Sequence, residues 1–275
     1  MSELQIRLAD EKDSEDLARV FIDSFGISAE DNERLLVKTT NQLKHRVNAK
    51  LSDFYIAFQN EQAVGLGAET TFLGSSYIGY IGVLRSIWRQ GIGTKIFQFI
   101  LEKAEKHNPT VELFANPGAD KIYRNLGFKD QFLTYISELT GSKSIIIEKV
   151  QEEEKFPQWI LDLDKLVMGH DRSNYLQYLL DEPDTTLLSF EEKGYCLTTN
   201  RKIGPLIATD PNTAYNLINY SLATGEKSML IPDYQIPLLG IFSPVEKQRC
   251  VKMIKGTPLE NNANLIWGYN SFASG

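Results

Sequence analysis

The stretch Tyr80-Ile-Gly-Val-Leu-Arg-Ser-Ile-Trp-Arg-Gln-Gly-Ile-Gly-Thr94 decides how this sequence reads. It opens aromatic and aliphatic like a strand and turns polar. Two glycines, Gly91 and Gly93, then precede Ile96, Phe97, Ile100, Leu101 and Ala104 at helical spacing. A strand ends, the chain turns tightly and a helix begins. Helix N-termini carry unpaired backbone N–H groups and the positive end of the macrodipole, so such a turn attracts phosphate oxygens. Gly91 and Gly93 lack a Cβ and let the backbone approach a pyrophosphate, and Arg89 and Lys95 add positive charge. A merely flexible strand-to-helix turn would carry the same glycines. A dinucleotide fingerprint fits poorly, because the third glycine is missing and no βαβ order precedes it. A Walker loop is excluded, since no Gly-Lys-Ser/Thr follows.

Upstream, residues 4–9 alternate apolar and polar like a half-buried strand. Asp10 or Asp13 then caps a helix with Leu17, Val20, Phe21 and Phe25 on one face, stopped at Gly26. A second helix is expected from Ala29 to Asn48, and strands at Phe54–Phe58, Ala63–Leu73 and Tyr77–Leu84. Downstream come a short strand at Val111–Ala115, a short helix at Ala119–Asn125 closed by Gly127, and extended chain over Phe128–Leu139. The order β-α-α-β-β-β-α-β-α-β predicts an α/β (α+β) fold, a mixed sheet flanked by helices.

The loop gains identity from its surroundings. Gly82-Val-Leu-Arg-Ser-Ile-Trp-Arg-Gln-Gly-Ile-Gly-Thr94 resembles motif A of the GNAT (GCN5-related N-acetyltransferase) superfamily, where Arg/Gln-x-x-Gly-x-Gly/Ala wraps an acyl-CoA pyrophosphate. Asn116-Pro-Gly-Ala-Asp-Lys-Ile-Tyr-Arg-Asn-Leu-Gly-Phe128 looks like motif B. The resemblance implies a mixed, mostly antiparallel sheet and acetyl-CoA as cofactor. It implies that Ile81, Gly82, Val83 and Leu84 pair with the pantetheine arm through backbone groups, and that the amides of Arg89, Gln90, Gly91, Ile92, Gly93 and Thr94 hold the pyrophosphate. Asn116 and Ala119 would lie by the pantetheine, and the Tyr123 hydroxyl at the thioester sulfur. Trp88, also assigned to the cofactor loop, stands where the family carries Arg or Gln. The strand Ser76–Leu84, which often bears a carboxylate in the family, bears none, and Glu69 on the preceding strand is the nearest candidate.

The reaction this implies is direct attack of a primary amine on the thioester. The amine attacks when neutral, so a base or water chain must take a proton from an ammonium of pKa ~10. Tyr123 is a sensible acid for the departing thiolate, since phenol and thiol have comparable pKa values, roughly 10 and 8.5. The alternative for Tyr123 is packing of motif B on the sheet; for Glu69 it is an exposed strand residue. No Ser/His/Asp or Cys/His set is visible, so no covalent acyl-enzyme is expected.

Gly141-Ser-Lys143 breaks the pattern, and the charged run Gln151–Lys155 reads as a solvated linker, placing the boundary between 142 and 155. The expected division is a catalytic domain (1–142), a linker (143–155) and a smaller GNAT-like domain (156–275). The second half repeats the order of the first: helices at Pro157–Met168 and Arg172–Leu180, strands at Thr186–Phe190, Tyr195–Thr199 and Ile203–Ala208, a helix at Thr213–Ala223 and a strand at Ser228–Ile231. Arg249–Ile254 and Leu265–Ser271 alternate like paired strands. Gly169-His-Asp-Arg172, Ile203-Gly-Pro-Leu-Ile-Ala-Thr-Asp-Pro211 and Trp267-Gly-Tyr-Asn-Ser-Phe272 resemble the degenerate C-terminal domain of tandem GNAT proteins. Where the pyrophosphate loop would fall, the chain reads Ala208-Thr-Asp-Pro-Asn-Thr213, with no glycine pair and with Asp210 at the helix start, so no acyl-CoA is expected there. Asp171 and Arg172 have two readings: a charged wall for the acceptor, or a capping aspartate and a structural ion pair.

The 275 residues suit one large domain or two ordinary ones, with 42% hydrophobic and 24% charged residues. Net charge is −7 and the sequence pI is near 5.2. Nucleic-acid and acidic-membrane partners, which want basic surfaces, are therefore disfavoured; a cationic small-molecule amine fits mildly better, though mild acidity is also ordinary for solubility. A protein N-terminus or lysine as acceptor, a non-catalytic acyl-CoA sensor, and a homodimer stay open. No transmembrane run or secretory signal is read, so Cys196 and Cys250 are expected as reduced thiols in a cytoplasm. The cysteines and the three histidines form no ligand cluster, so no metal is expected.

Overall fold

Alternation of apolar and polar residues in the N-terminal third builds a sheet with helices on both faces. The computed structural model describes residues 3–28, 31–141, 149–199 and 202–273. They divide into two compact units, one holding the chain up to Thr71 together with Ser75–Glu112, the other Phe72–Gly74 and Leu113–Ala273. The expected break at 142 falls on residues 142–148, outside the described residues, as does the expected helix start at Ala29.

In the first unit, β1 (Gln5–Leu8), β2 (Ser52–Gln59), β3 (Gln62–Thr71) and β4 (Ser76–Val83) form antiparallel neighbours in that order. The start of β5 (Thr110–Ala115) joins β4 in parallel. The helices are α1 (Ser14–Phe25), α2 (Asn32–Ala49) and α3 (Ile92–His107). α1 stops at Gly26, whose φ of 63° is left-handed. The sheet's glycines admit the helices. A Cβ on Gly82 would sit 2.5 Å from Ser24 Oγ of α1, and one on Gly67 2.5 Å from Ile100 Cδ1 of α3. Side-chain alternation sends these positions to opposite faces, so α1 and α3 cover the sheet from either side.

The second unit contains the end of β5, α4 (Asp120–Asn125), β6 (Lys129–Glu138), β7 (Val150–Glu153), α5 (Gln158–Met168), α6 (Ser173–Leu180), β8 (Thr185–Phe190), β9 (Gly194–Thr199), β10 (Lys202–Ala208), α7 (Pro211–Thr224), β11 (Ser228–Pro232), β12 (Val245–Gly256) and β13 (Ile266–Gly268). Its strand order is β5-β12-β6-β11-β10-β9-β8-β7, with β13 on β10. Leu188, Cys196, Leu206, Leu217, Ile218, Phe242 and Trp267 belong to one buried apolar cluster.

Two expectations change here. Arg249–Ile254 and Leu265–Ser271 do not pair with each other: β12 lies between β5 and β6, and β13 pairs with β10. The alternation marked them as strands but said nothing about distant partners. The charged run at 151–155 is not wholly linker, since Val150–Glu153 forms β7 antiparallel to β8. Its glutamates suit an outermost strand, where charge discourages further pairing.

Candidate functional site

β4 carries the first feature of the site. Leu66 pairs with Gly82 and Ala68 with Gly79, so Tyr80 and Ile81 of β4 stand opposite Gly67 alone. This is a β-bulge, and Tyr80 takes a left-handed φ of 57°, a strained conformation for an aromatic residue. Its ring packs 5.1 Å from Phe54 and 6.0 Å from Phe21, whereas the side chain of Ile81 lies over Gly67 beside α3. The register with β5 runs over two pairs only, Ser76↔Val111 and Tyr77↔Glu112, and β4 continues past it from Ile78 to Val83.

The glycine turn follows. Leu84 N–H donates to Val64 O at 3.0 Å and closes the strand; a 3₁₀ turn spans Arg85–Ile87. Arg89 (φ 65°) and Gly91 (φ 78°) then both adopt left-handed backbone. Turns of this kind gather backbone N–H groups into anion-binding concavities. Gly91 is the N-cap of α3 and offers no capping side chain, and the first turn holds no acidic residue. A Cβ at Gly91 would meet nothing within 4 Å, and one at Gly93 only Val83 Cγ2 at 3.5 Å. Uncapped amides, open space above both glycines and the helix's positive end together fit a phosphate group.

Three contacts hold the turn. Arg85 N–H donates to Asp23 Oδ2 at 2.7 Å, and the Arg85 guanidinium fills the space that a side chain at Gly26 would need. The indole N–H of Trp88 donates to Val83 O at 2.7 Å. The side chain that replaces the family's Arg or Gln thus ties the loop back to β4. Arg85 also lies over the Trp88 ring, 5.6 Å from its centroid.

Glu69 is not the exposed strand residue that was one of its two readings: it is 1% exposed. Its Oε1 accepts from Ser76 Oγ at 2.8 Å and from Thr71 Oγ1 at 3.3 Å, and lies 2.9 Å from His107 Nδ1 at the end of α3. Asn108 Nδ2 donates to Ser76 Oγ at 3.1 Å. Glu69 Oε2 is buried with no hydrogen-bond partner among the described residues. His107, half exposed, links this cluster to solvent. Sequence reasoning missed His107 and Ser76, since the β3–β4 register and the far end of α3 bring them together.

The motif B residues lie in the second unit. Asn116 Oδ1 accepts from Gln248 Nε2 at 2.9 Å and from the Cys250 thiol at 3.1 Å, both on β12. Ala119 N–H donates to Asn116 O at 3.0 Å at the entry to α4. Tyr123, on α4, packs near Phe128 with ring centroids 6.1 Å apart. Burial pushes its phenol up to about 12 and the Cys250 thiol likewise to about 12.

Arg172 and Asp171 each have partners within the chain. Arg172 is 4% exposed. Its Nε and Nη2 donate to the Asp164 carboxylate at 2.9 and 2.8 Å, and Tyr195 donates its hydroxyl to the same carboxylate. The guanidinium lies buried between Asp164 on α5 and Tyr195 on β9. Asp171 Oδ1 accepts from Ser173 N–H at 2.9 Å and Ser173 Oγ at 2.7 Å, an Asx turn just ahead of α6 that holds its carboxyl below the usual range.

In the second half, Asp210 occupies the start of α7. Its Oδ1 accepts Thr213 N–H at 3.0 Å and its Oδ2 accepts Thr213 Oγ1 at 2.8 Å. β10 and β11 are parallel over two pairs, as β4 and β5 are, but β13 then pairs with β10 at Leu206↔Gly268 and Ile207↔Ile266. Trp267 on β13 is buried and donates its indole N–H to Ala208 O at 3.1 Å. Among the described residues no group of three or more His, Cys, Asp or Glu could hold a metal, and no helix is long and apolar enough to cross a membrane.

A strand that bulges, runs past its parallel neighbour and enters an uncapped glycine turn is the arrangement that the resemblance to motif A implies. Two family models, each described as an acetyltransferase (GNAT) domain, match residues 26–137 and 160–268. The chain belongs to the GNAT acetyltransferases and carries two GNAT domains in tandem. A candidate acetyltransferase from Pyrococcus horikoshii is 27% identical and superposes with a TM-score of 0.91 over 99% of this chain and 96% of that one. GCN5-related N-acetyltransferases from Sphaerobacter thermophilus (13% identity, TM-score 0.61, 98% of each chain) and Kribbella flavida (16%, 0.61, 92% of this chain and 71% of that one) share the fold. No curated protein matches the sequence.

Proposed function

We propose that this chain transfers an acetyl group from acetyl-CoA to the primary amine of a small molecule, by direct attack. The observation that carries the proposal is the uncapped turn Arg89–Thr94, with open space above Gly91 and Gly93 at the end of β4. In this reading the amides of Arg89 to Thr94 hold the pyrophosphate, and the backbone of Ile81–Leu84 takes the pantetheine arm, with Asn116 and Ala119 beside it. The cofactor supplies an activated thioester carbonyl. Glu69 removes a proton from the acceptor ammonium through water, using the buried oxygen that has no partner, and His107 returns that proton to solvent. In the same reading Tyr123, a phenol neutral at physiological pH, protonates the leaving thiolate.

The chemistry belongs to the first half of the chain (1–142). The second half (156–275) does not take acyl-CoA, because Asp210 satisfies and repels where phosphate would bind, and β13 lies along β10. The net charge of −7 argues against nucleic acid or an acidic membrane as the partner.

Calorimetry is expected to find one acetyl-CoA site per chain, and thiol release is expected with at least one amine in a panel of polyamines, amino acids and aminosugars. Glu69→Gln should lower kcat by roughly 10²- to 10⁴-fold while cofactor affinity stays unchanged. Two tight acetyl-CoA sites would sink the assignment of the halves. Binding with no turnover on any amine, peptide N-termini included, would make the protein an acyl-CoA sensor instead.

A further inference from the structure

We infer that the indole of Trp88 is a stacking platform for the adenine of CoA, a side-chain role at a position where the turn otherwise works through backbone amides. The inference rests on the acyl-CoA reading above and adds a residue that recognises the base. Trp88 is 51% exposed, although large aromatic side chains bury strongly when nothing else claims them. It is also fixed. The indole N–H on Val83 O locks the ring against the end of β4, and the Arg85 guanidinium covers one face. Arg85 is itself held, its N–H on Asp23 and its guanidinium against Gly26 at the end of α1.

An indole clamped by its edge and backed on one face presents the other face to solvent without having to be ordered first. Immobilising a mobile tryptophan costs binding energy, so a ring fixed in advance binds a flat partner more tightly. The flat partner belongs next to the pyrophosphate turn, because Trp88 directly precedes Arg89. In CoA the group one ribose away from the pyrophosphate is adenine. A purine has a π-face suited to a tryptophan, and a guanidinium behind that ring adds a cation–π contact to the same stack. The arrangement also accounts for the substitution of a charged or amide side chain by tryptophan. The tie to β4 is kept through Nε1, and an aromatic surface is gained.

The test compares CoA with 4′-phosphopantetheine, which lacks the base, on the full-length protein by calorimetry, with tryptophan fluorescence alongside. Trp88→Ala should weaken CoA by roughly ten- to a hundredfold and leave 4′-phosphopantetheine within about twofold. Trp88→Phe, which keeps a ring but loses the N–H, should retain CoA within a few-fold. CoA should quench wild-type fluorescence, and Trp88→Phe should remove that quenching. The platform is overturned if Trp88→Ala binds CoA like the wild type. It is equally overturned if both variants lose both ligands alike, which would leave only the tie to Val83, or if Trp88→Ala merely dissociates a dimer in sedimentation with CoA affinity unchanged. Wild-type protein that binds neither ligand would remove the acyl-CoA reading itself. Wild-type CoA binding indifferent to Trp88 would remove the platform alone.

Discussion

Tyr123, partly buried on α4, and Arg172, buried at the start of α6, feel desolvation with opposite consequences. Desolvation alone raises the Tyr123 phenol to about 12, so the group stays neutral and loses little by burial. Tyr123→Phe is expected to lower kcat by roughly 10²-fold or more, with little change in acetyl-CoA affinity, in a steady-state assay. Because the folded pKa lies above the unfolded value near 10, this group's contribution to stability is complete below pH ~10 and lost between about 10 and 12. The gap between the denaturation midpoints of wild type and Tyr123→Phe should therefore be constant below pH ~10 and shift against wild type between about 10 and 12. Arg172 is buried as a cation, and only the two-pronged contact with Asp164 makes that tolerable. Arg172→Ala would strand the Asp164 carboxylate and should cost about 3–5 kcal/mol in chemical denaturation. Acceptor KM measured well below the unfolding temperature should not move. The sequence held a sign of this outcome: Asp164 falls on the same helical face as Ile160 and Val167, and an acid on an apolar face asks for an internal partner.

At the scale of elements, the turn between β4 and α3 was legible because everything that makes it is local. Glycines, a preceding strand and a following amphipathic helix lie consecutively between Ser76 and His107, where periodicity and turn chemistry speak directly. Gly91→Val tests the turn. Nothing lies within 4 Å of the would-be Cβ, so the variant should fold and pay only for a φ of 78°, roughly 1–2 kcal/mol in melting experiments. Its KM for acetyl-CoA should rise far more than that loss of stability explains, since a branched side chain would stand over the amides. The bulge at Tyr80 and the burial of Glu69 were not legible. Both depend on how β3 and β4 align, and a one-residue shift in register would place Glu69 on the opposite face. The same limit hid β7 inside a charged run and the destinations of β12 and β13.

At the scale of the whole chain, two GNAT domains in sequence are not two independent packages. β6 lies between β12 and β11, both from beyond residue 227, so the fragment 1–142 would carry every residue assigned to the cofactor turn yet leave both edges of β6 bare. That fragment is expected to be insoluble or to lack a cooperative melting transition, and adding the separately expressed second half should restore little. A soluble 1–142 fragment that binds CoA like the full chain would contradict this. The placement of β12 also sets a timetable for the protein's birth. A ribosome makes β6 early and β12 near the end, and Ile136 cannot meet Gln248 until nearly the whole chain has emerged. During that interval the nascent sheet has no strand at that edge, and pairings so distant along the chain close slowly. This protein should be among those that lean on chaperones while being made, and a premature stop within its last few dozen codons should be as damaging as one within its first hundred.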